Sequence, residues 1–351
     1  MVPLVVPVGI DLGPALAARA LGVTAVAGAP GAAAASADLL ERDVPRLRDE
    51  LFLDLGVALP GVRARTAPDL EPDAYIVSLQ EIPVARGAAP LDRCIALAAP
   101  SVVASFGVGG EEITDAVTGG TITLVPPEAR AVLEAAGVAV LDESASIARH
   151  AGHLVRRRAH DLVGLQEVQT MLDQLERAYP ALVRNVVPKP VTLALLADVL
   201  RRLVEEGVSI RPLREILEAL AIYAPAERDP VALTELARSA LRRHITHRYA
   251  RGASLSVYLL DPAIEAAVRD AIHRTPTGSY LALAPDMARD IVSAVRRETA
   301  PGASPPVLLT QMDVRRFVRR LLEVDLPGIV VLSYQELAPE VTVQPLGRIA
   351  L

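Results

Sequence analysis

The chain has 351 residues, a formal net charge of -6 and 51% hydrophobic residues, yet only 3% aromatics and no tryptophan. That length suggests roughly two to four compact units with cores of Leu, Val, Ala and Ile. The acidic balance argues against nucleic acid as the main partner, and the single cysteine, Cys94, excludes an intramolecular disulfide framework and fits a reducing compartment.

Taken in chain order, Val5 to Leu12 reads as a first strand, Gly28 to Asp38 as a loop, and Leu39 to Leu55 as a helix ended by Gly56. Asp11, Arg19 and the Gly/Pro-rich stretch after Gly28 interrupt the apolar N-terminal part, so no run reaches bilayer-spanning length. MVPLVVPVGIDLG also lacks the basic start of a secretory signal, and the chain is expected to be soluble. Tyr75 to Leu79 and Cys94 to Ala98 read as strands around a turn near Arg86 and Gly87, with Cys94 a buried small hydrophobe. Ala99 to Pro127 breaks the helical pattern and suggests a small insert. Pro127 to Gly137 returns to helix, Val138 to Leu141 is a short strand, and Ile147 to Tyr179 is mostly helical.

Asn185 to Ala250 predicts an all-helical segment of roughly three helices punctuated by Gly207, Pro212, Pro225 and Pro230. Leu195, Val199, Leu200 and Leu203 form one apolar stripe, and Leu213, Ile216, Leu217 and Leu220 form another. From Ser254 strands and helices alternate: Leu255 to Leu260, Asp261 to Arg274, Ser279 to Leu283 and Pro285 to Arg297. Asp261 before Pro262 reads as an N-cap followed by proline at the first helical position. Thr299 to Pro305 is a loop. The segment from Pro306 then gives strand, helix and strand, with Val314, Phe317, Val318, Leu321 and Leu322 on the apolar face and Arg315, Arg316, Arg319 and Arg320 opposite.

No local pattern carries catalysis. SFGVGGEE, Ser105 to Glu112, has closely spaced glycines but lacks the Gly-Lys-Ser/Thr ending of a phosphate loop, and its glutamates would repel phosphate; it reads as a turn. His150 and His153, and His244 and His247, are spaced to share helix faces. They lack an HExxH pattern or a cysteine cluster, so they read as partly exposed helix histidines and no metal or cofactor is expected. No GxSxG is present. Arg156, Arg157 and Arg158 form a basic cluster that reads as a solvated helix face or as an inter-subunit pairing site.

YIVSLQEIPVARG from Tyr75 to Gly87, RAHDLVGLQEVQTMLD from Arg158 to Asp173, the stretch from Leu182 to Pro225 and the phrases LTQMDVRRFVRRLLE, VLSYQEL and QPLGRIAL occur in that order along the chain. Together they resemble the FlhA/SctV (FHIPEP) family of type III secretion export-gate proteins, with phrasing closer to the injectisome branch, SctV, than to the flagellar branch. The resemblance implies an α+β multidomain fold. Its mixed α/β first subdomain covers 1–98 and 131–180 around a small insert at 99–130; an all-helical subdomain at 185–250 and a ferredoxin-like or split βαβ α/β subdomain at 254–351 follow.

It also implies a transmembrane half ahead of this region, with this chain at the cytoplasmic face of the bacterial inner membrane. There it would act as a non-enzymatic docking platform in a homo-oligomeric ring, a nonamer in this family. Secretion substrates, chaperone-substrate complexes, a gatekeeper and other export-apparatus proteins are the implied partners, with hinges near Pro180 to Pro190 and Arg251 to Ser254. Asp115, Ala116, Val117, Thr118 and Gly119 align with the family's Asp-Pro-x-x-Gly segment, which makes Asp115, Thr118 and Gly119 candidate docking residues. Ala116 replaces the usual proline, Thr118 stands where flagellar members are often aromatic, and Leu124 stands where Trp is frequent. A capped turn at Asp115 is the plainer reading. Two other classes remain as alternatives: a helix-turn-helix regulatory or adaptor protein built on the helices from Leu193, or an enzyme with an unrecognised site.

Overall fold

The computed structural model describes residues 5–22, 38–275, 278–299 and 305–351. The loops expected at 28–38 and 299–305 therefore lie outside the described residues, except for Asp38, Thr299 and Pro305. The chain forms two compact units, Met1–Val163 and Gly164–Leu351.

The first unit begins with β1 (Val8–Leu12), α1 (Pro14–Ala20), a π-helical turn at Leu39–Asp43, and α2 (Val44–Leu55). Gly56 closes α2 at φ 78°, a left-handed conformation that glycine adopts without a Cβ penalty. β2 (Val62–Thr66), β3 (Ala74–Leu79) and β4 (Ile82–Ala88) complete a sheet of order β2-β1-β3-β4. The strand β2 was not foreseen; its VRART sequence alternates but is largely exposed.

The turn expected at Arg86 and Gly87 is instead part of β4, and the chain reverses at Gln80 and Glu81, with φ of 50° and 65°. Positive φ at both central residues gives a hairpin twist that matches the flanking strands, although neither residue is the Asn or Gly that usually marks it. Gly87 serves another purpose. A Cβ there would come within 2.5 Å of the Tyr75 ring, so the glycine lets β3 and β4 close over that side chain.

β5 (Cys94–Ala96), α3 (Pro100–Ser105), β6 (Glu111–Thr114), β7 (Thr121–Val125), α4 (Arg130–Ala135) and β8 (Val140–Leu141) follow. Their antiparallel sheet has the order β6-β7-β5-β8, over a core of Cys94, Ala96, Val103, Val125, Leu133 and Val140. The small sheet thus recruits strands from both sides of the 99–130 range. α5 (Glu143–Arg157) starts at Asp142, whose side chain accepts from the Ala145 amide at 2.8 Å, and buries Ile147, Ala148 and Ala151 against the first sheet.

The second unit opens with helices α6 (Leu165–Ala178), α7 (Pro180–Val186), α8 (Leu193–Glu205), α9 (Leu213–Tyr223), α10 (Pro230–Ala240) and α11 (Arg242–Tyr249). The helical segment is therefore more finely divided than three helices. α6 packs on α7 and α8, which moves it out of the first subdomain to which the 131–180 range assigned it. The stripe on α9 is buried as expected. On α8 the deeply buried position is Leu196, with Leu195 only half-buried.

β9 (Ser254–Leu260) and α12 (Pro262–Asp270) come next, and Asp261 caps α12 by accepting from the Ala263 amide at 2.9 Å. The helix expected to reach Arg274 stops at Asp270, because β10 (Ile272–Thr275) and β11 (Gly278–Leu281) form a hairpin. α13 (Pro285–Glu298), β12 (Val307–Thr310), α14 (Met312–Leu322), β13 (Val330–Ser333) and β14 (Thr342–Ile349) complete the unit. The α/β character is as expected. A ferredoxin-like sheet would hold antiparallel neighbours, whereas this sheet, of order β13-β12-β9-β14, is parallel at every pairing. Helices between β9, β12 and β13 return the chain to the same end of the sheet each time, which parallel pairing requires.

Candidate functional site

β6 and β7 form a hairpin whose tip is the segment 115–120. The tip is closed by two backbone bonds, Asp115 N to Gly120 O and Gly119 N to Asp115 O, both 2.8 Å, with Gly119 at φ 69°. The Asp115 carboxylate accepts from the amides of Val117 (3.1 Å) and Thr118 (3.3 Å) and from Thr118 Oγ1 (2.7 Å). Arg149, on α5, donates to both oxygens at 2.7 Å in a two-point contact. Those bonds occupy the carboxylate's acceptor sites, and the residue is only 3% exposed.

The Arg149 guanidinium is the main reason that the Asp115 carboxyl titrates well below the usual carboxylate range, with Thr118 and the Val117 amide adding to it against the opposing effect of burial. Of the three candidate docking residues, Thr118 and Gly119 face solvent and Asp115 does not. Asp115 shapes the tip and Thr118 and Gly119 present it. Sequence reasoning missed Arg149, for which no local spacing gives a signal.

The next residue on α5, His150, turns into the core. Its Nδ1 lies 2.8 Å from Tyr75 Oη, with the rings edge-to-face at 5.8 Å. Burial lowers the His150 pKa and pushes Tyr75 up to about 12. The partly exposed reading is thus corrected for His150. His153 is half-buried, His244 Nε2 lies 3.0 Å from Glu215, and His247 Nε2 lies 3.5 Å from Glu340. Among the described residues no group of three or more His, Cys, Asp or Glu is arranged to hold a metal ion. Cys94 is buried, and that burial raises its thiol pKa.

Arg156, Arg157 and Arg158 are all exposed at the end of α5. Arg156 Nε pairs with Asp54 at 3.1 Å, and Arg158 borders a hollow of about 390 Å³, open to solvent, with Val8, Leu79, Ile82, Val155 and Asp161. The SFGVGGEE stretch is the exit of α3 and the entry to β6, turned by Gly107 at φ 76°. Gly110 allows a close approach, since a Cβ there would meet Thr123 Cγ2 at 2.4 Å.

The expected outward face of α14 needs a correction. Arg315 is fully buried, at 0% exposure, and sits among charged groups from α8 and α10. Its Nε donates to Glu235 Oε2 at 2.6 Å and its Nη2 to Glu235 Oε1, while Nη1 reaches Glu206 Oε2 at 2.5 Å. Arg238 extends the cluster, donating from Nη1 to Glu206 Oε2 at 3.2 Å and pairing through Nη2 with Glu336 Oε1 at 2.6 Å. A guanidinium with carboxylates on two sides can be buried where an isolated one could not. The two helices weighed as a DNA reader, α8 and α9, bury their apolar stripes in this unit's interior.

The FHIPEP family model matches residues 20–342. The low calcium response locus protein D of Yersinia pestis is 37% identical over 316 residues, covering 89% of this chain and 45% of that protein. The structure of the Chlamydia pneumoniae CdsV protein superposes with a TM-score of 0.88 at 36% identity, covering 100% of this chain and 99% of that one. A nonameric EPEC SctV-C structure superposes with a TM-score of 0.79 at 26% identity, covering 99% and 100%. The chain spans about half the length of the curated relatives it matches, and the matches favour the injectisome branch over the flagellar one. With the family model and these relatives agreeing across both units, the chain belongs to the FHIPEP family of type III secretion export-gate proteins.

Proposed function

We propose that this chain is a docking platform of the export gate, held at the cytoplasmic face of the bacterial inner membrane. It would receive secretion substrates, their chaperone complexes and a gatekeeper, pass the substrates to the export channel, and carry out no enzymatic chemistry of its own. The observation that supports this reading most is the end-to-end likeness to a SctV cytoplasmic domain described as nonameric. By the same likeness the chain would assemble into a ring, with Arg156, Arg157 and Arg158 as candidate contacts between copies.

Within the chain, the docking element is the hairpin tip, with Thr118 and Gly119 as contact residues and Asp115 and Arg149 as positioning residues. A rigid, preshaped loop binds without the cost of ordering itself. Hinge motion is better placed near 180–190 than near 251–254, where it would strain the charge cluster that joins α8 and α10 to α14.

Sedimentation and electron microscopy of the chain at high concentration test the ring; Arg156→Glu with Arg157→Glu and Arg158→Glu should weaken self-association more than it lowers the thermal melt, since Arg156 also pairs with Asp54. Unchanged sedimentation would remove these arginines from the interface. Capture of chaperone-substrate complexes by the parent and by Thr118→Trp tests the tip. Equal capture by both would remove the tip from the docking surface.

A further inference from the structure

The hairpin that carries the docking tip also forms the outer edge of its sheet: in the order β6-β7-β5-β8, β6 has a neighbour on one side only. Its residues Glu111, Glu112 and Thr114 are exposed and Ile113 is half-buried, so the outward N–H and C=O groups face solvent. Gly109 and Gly110 precede the strand and add no side chain that would hold a partner away.

The chemistry of that edge is one-sided. From residue 99 to residue 129 the sequence holds Glu111, Glu112, Asp115 and Glu128 and no Lys, Arg or His. Asp115 is neutralised by Arg149, and Glu111 meets Arg93 Nη1 at 3.5 Å. Among the described residues no hydrogen bond or ion pair engages the Glu112 side chain. The register fixes where the two charges lie. Glu112 is opposite Thr123, whose Oγ1 is buried and bonds the Ala98 carbonyl, so Glu112 is on the helix-bearing face of the sheet; Glu111 and Ile113 share the other face. Val102 and Phe106, one helical turn apart near the end of α3, are 43% and 40% exposed.

We propose that β6 is a strand-addition site for an extended polypeptide segment carrying two adjacent basic residues flanked by aliphatic ones. Adjacent residues of a strand point to opposite faces, so two consecutive cations meet Glu112 on one face and Glu111 on the other, and an aliphatic neighbour lies beside Ile113. Main-chain hydrogen bonds give such a partner its affinity, and the edge charges choose it. The same glutamates keep copies of this edge from pairing with each other, which explains why an open edge survives in the protein. The inference rests on the docking reading of the hairpin and adds to it the class of segment that docks.

The test uses the whole chain and a synthetic peptide, Val-Thr-Val-Lys-Lys-Val-Thr-Val, whose palindrome fits either strand direction. Its counterparts have a Glu-Glu centre or N-methylated alternate amides. Fluorescence anisotropy should show binding of the lysine peptide alone. Hydrogen-deuterium exchange should slow over 111–114, and Glu112→Lys should weaken binding roughly tenfold with an unchanged melt. Equal binding of the lysine and glutamate peptides, protection elsewhere in the chain, or full affinity in Glu112→Lys would overturn the proposal. If Thr118→Trp abolishes capture of chaperone-substrate complexes while Glu112→Lys alters neither capture nor peptide binding, the edge assignment alone fails. If the peptide binds β6 but neither variant affects capture, the docking reading fails and the edge assignment stands.

Discussion

Arg315 Nη2 lies 3.0 Å from Glu206 Oε1 while its Nη1 reaches Glu206 Oε2, so a helix of the parallel α/β layer holds the residue that caps the C-terminal end of α8 by both carboxylate oxygens. The contact makes the helical and α/β parts of 164–351 depend on each other. Breaking a buried ion pair on one side is far more damaging than replacing the whole group, because the remaining charges are left without a partner. Arg315→Met should therefore cost about 3–5 kcal/mol in urea unfolding. Arg315→Met combined with Glu206→Gln and Glu235→Gln should recover much of that loss. A triple variant as unstable as the single one would contradict this account.

The same cluster has a pH signature. Burial by itself would raise the Glu206 pKa, but the charges of Arg315 and Arg238 outweigh it and bring the value down to about 2 from an ordinary 4.5. A carboxyl with a depressed folded-state pKa contributes stability that is present above 4.5 and is lost as the pH falls toward 2. Chemical unfolding followed between those limits should show the loss, and Glu206→Gln should flatten it.

His150 works in the same direction at higher pH. Its folded pKa is lowered, chiefly by burial, with Arg149 adding to that effect and Asp115 opposing it. Below the ordinary histidine value of 6.5 the unfolded chain takes up a proton that the folded chain resists, so stability falls as the pH drops. The urea midpoint of the parent should decrease between neutral pH and mildly acidic pH, and His150→Gln should reduce that dependence, with His153, whose pKa burial also lowers, keeping the remainder. Tyr75→Phe should cost about 1 kcal/mol at neutral pH through the lost hydrogen bond.

Arg149→Met should release the hairpin tip. Asp115 would keep its bonds to Val117 and Thr118 but lose its partner charge, and a buried carboxylate without that partner costs about 3 kcal/mol. Amide exchange at Val117 and Thr118 is the direct readout, and it should rise several-fold. Exchange equal to the parent's would mean that the ion pair does not position the loop.

Leu217→Asp should unfold the helical part of the second unit, since it puts a carboxylate at a fully buried position on α9, at a cost of several kcal/mol. Circular dichroism melts would register this as an early loss of helix. A variant as stable as the parent would mean that this side chain escapes the core.

What could be read from the sequence was what depends on neighbours along the chain. The Asp261 and Pro262 helix start, the Gly56 stop and the α9 stripe all follow from local spacing, and the structure has them. Arg315 was misread because its partners lie on other helices, so the helical pattern marked it only as a charged residue beside an apolar stripe. It is three and seven positions from Val318 and Leu322, which places it on the border of that stripe, where a neighbouring helix can cover it. Gly87 was misread for the converse reason: its lack of a side chain serves the packing of Tyr75, and a glycine needed for close approach looks in sequence like one needed for a turn. At the candidate site the tip was legible from its Asp and Gly, but the clamp that fixes it was not.

The register of the parallel sheet bears on how the protein is made. β9 is a central strand, and one of its two neighbours, β14, pairs Thr342 with Ser254 only after three helices, a hairpin and two further strands have been synthesised. Until then β9 has an open edge on the growing chain, and such edges invite mispairing. The ribosome must therefore deliver nearly all of this unit before its sheet can close, and a chaperone present during synthesis should raise the yield of folded protein more than one added afterwards.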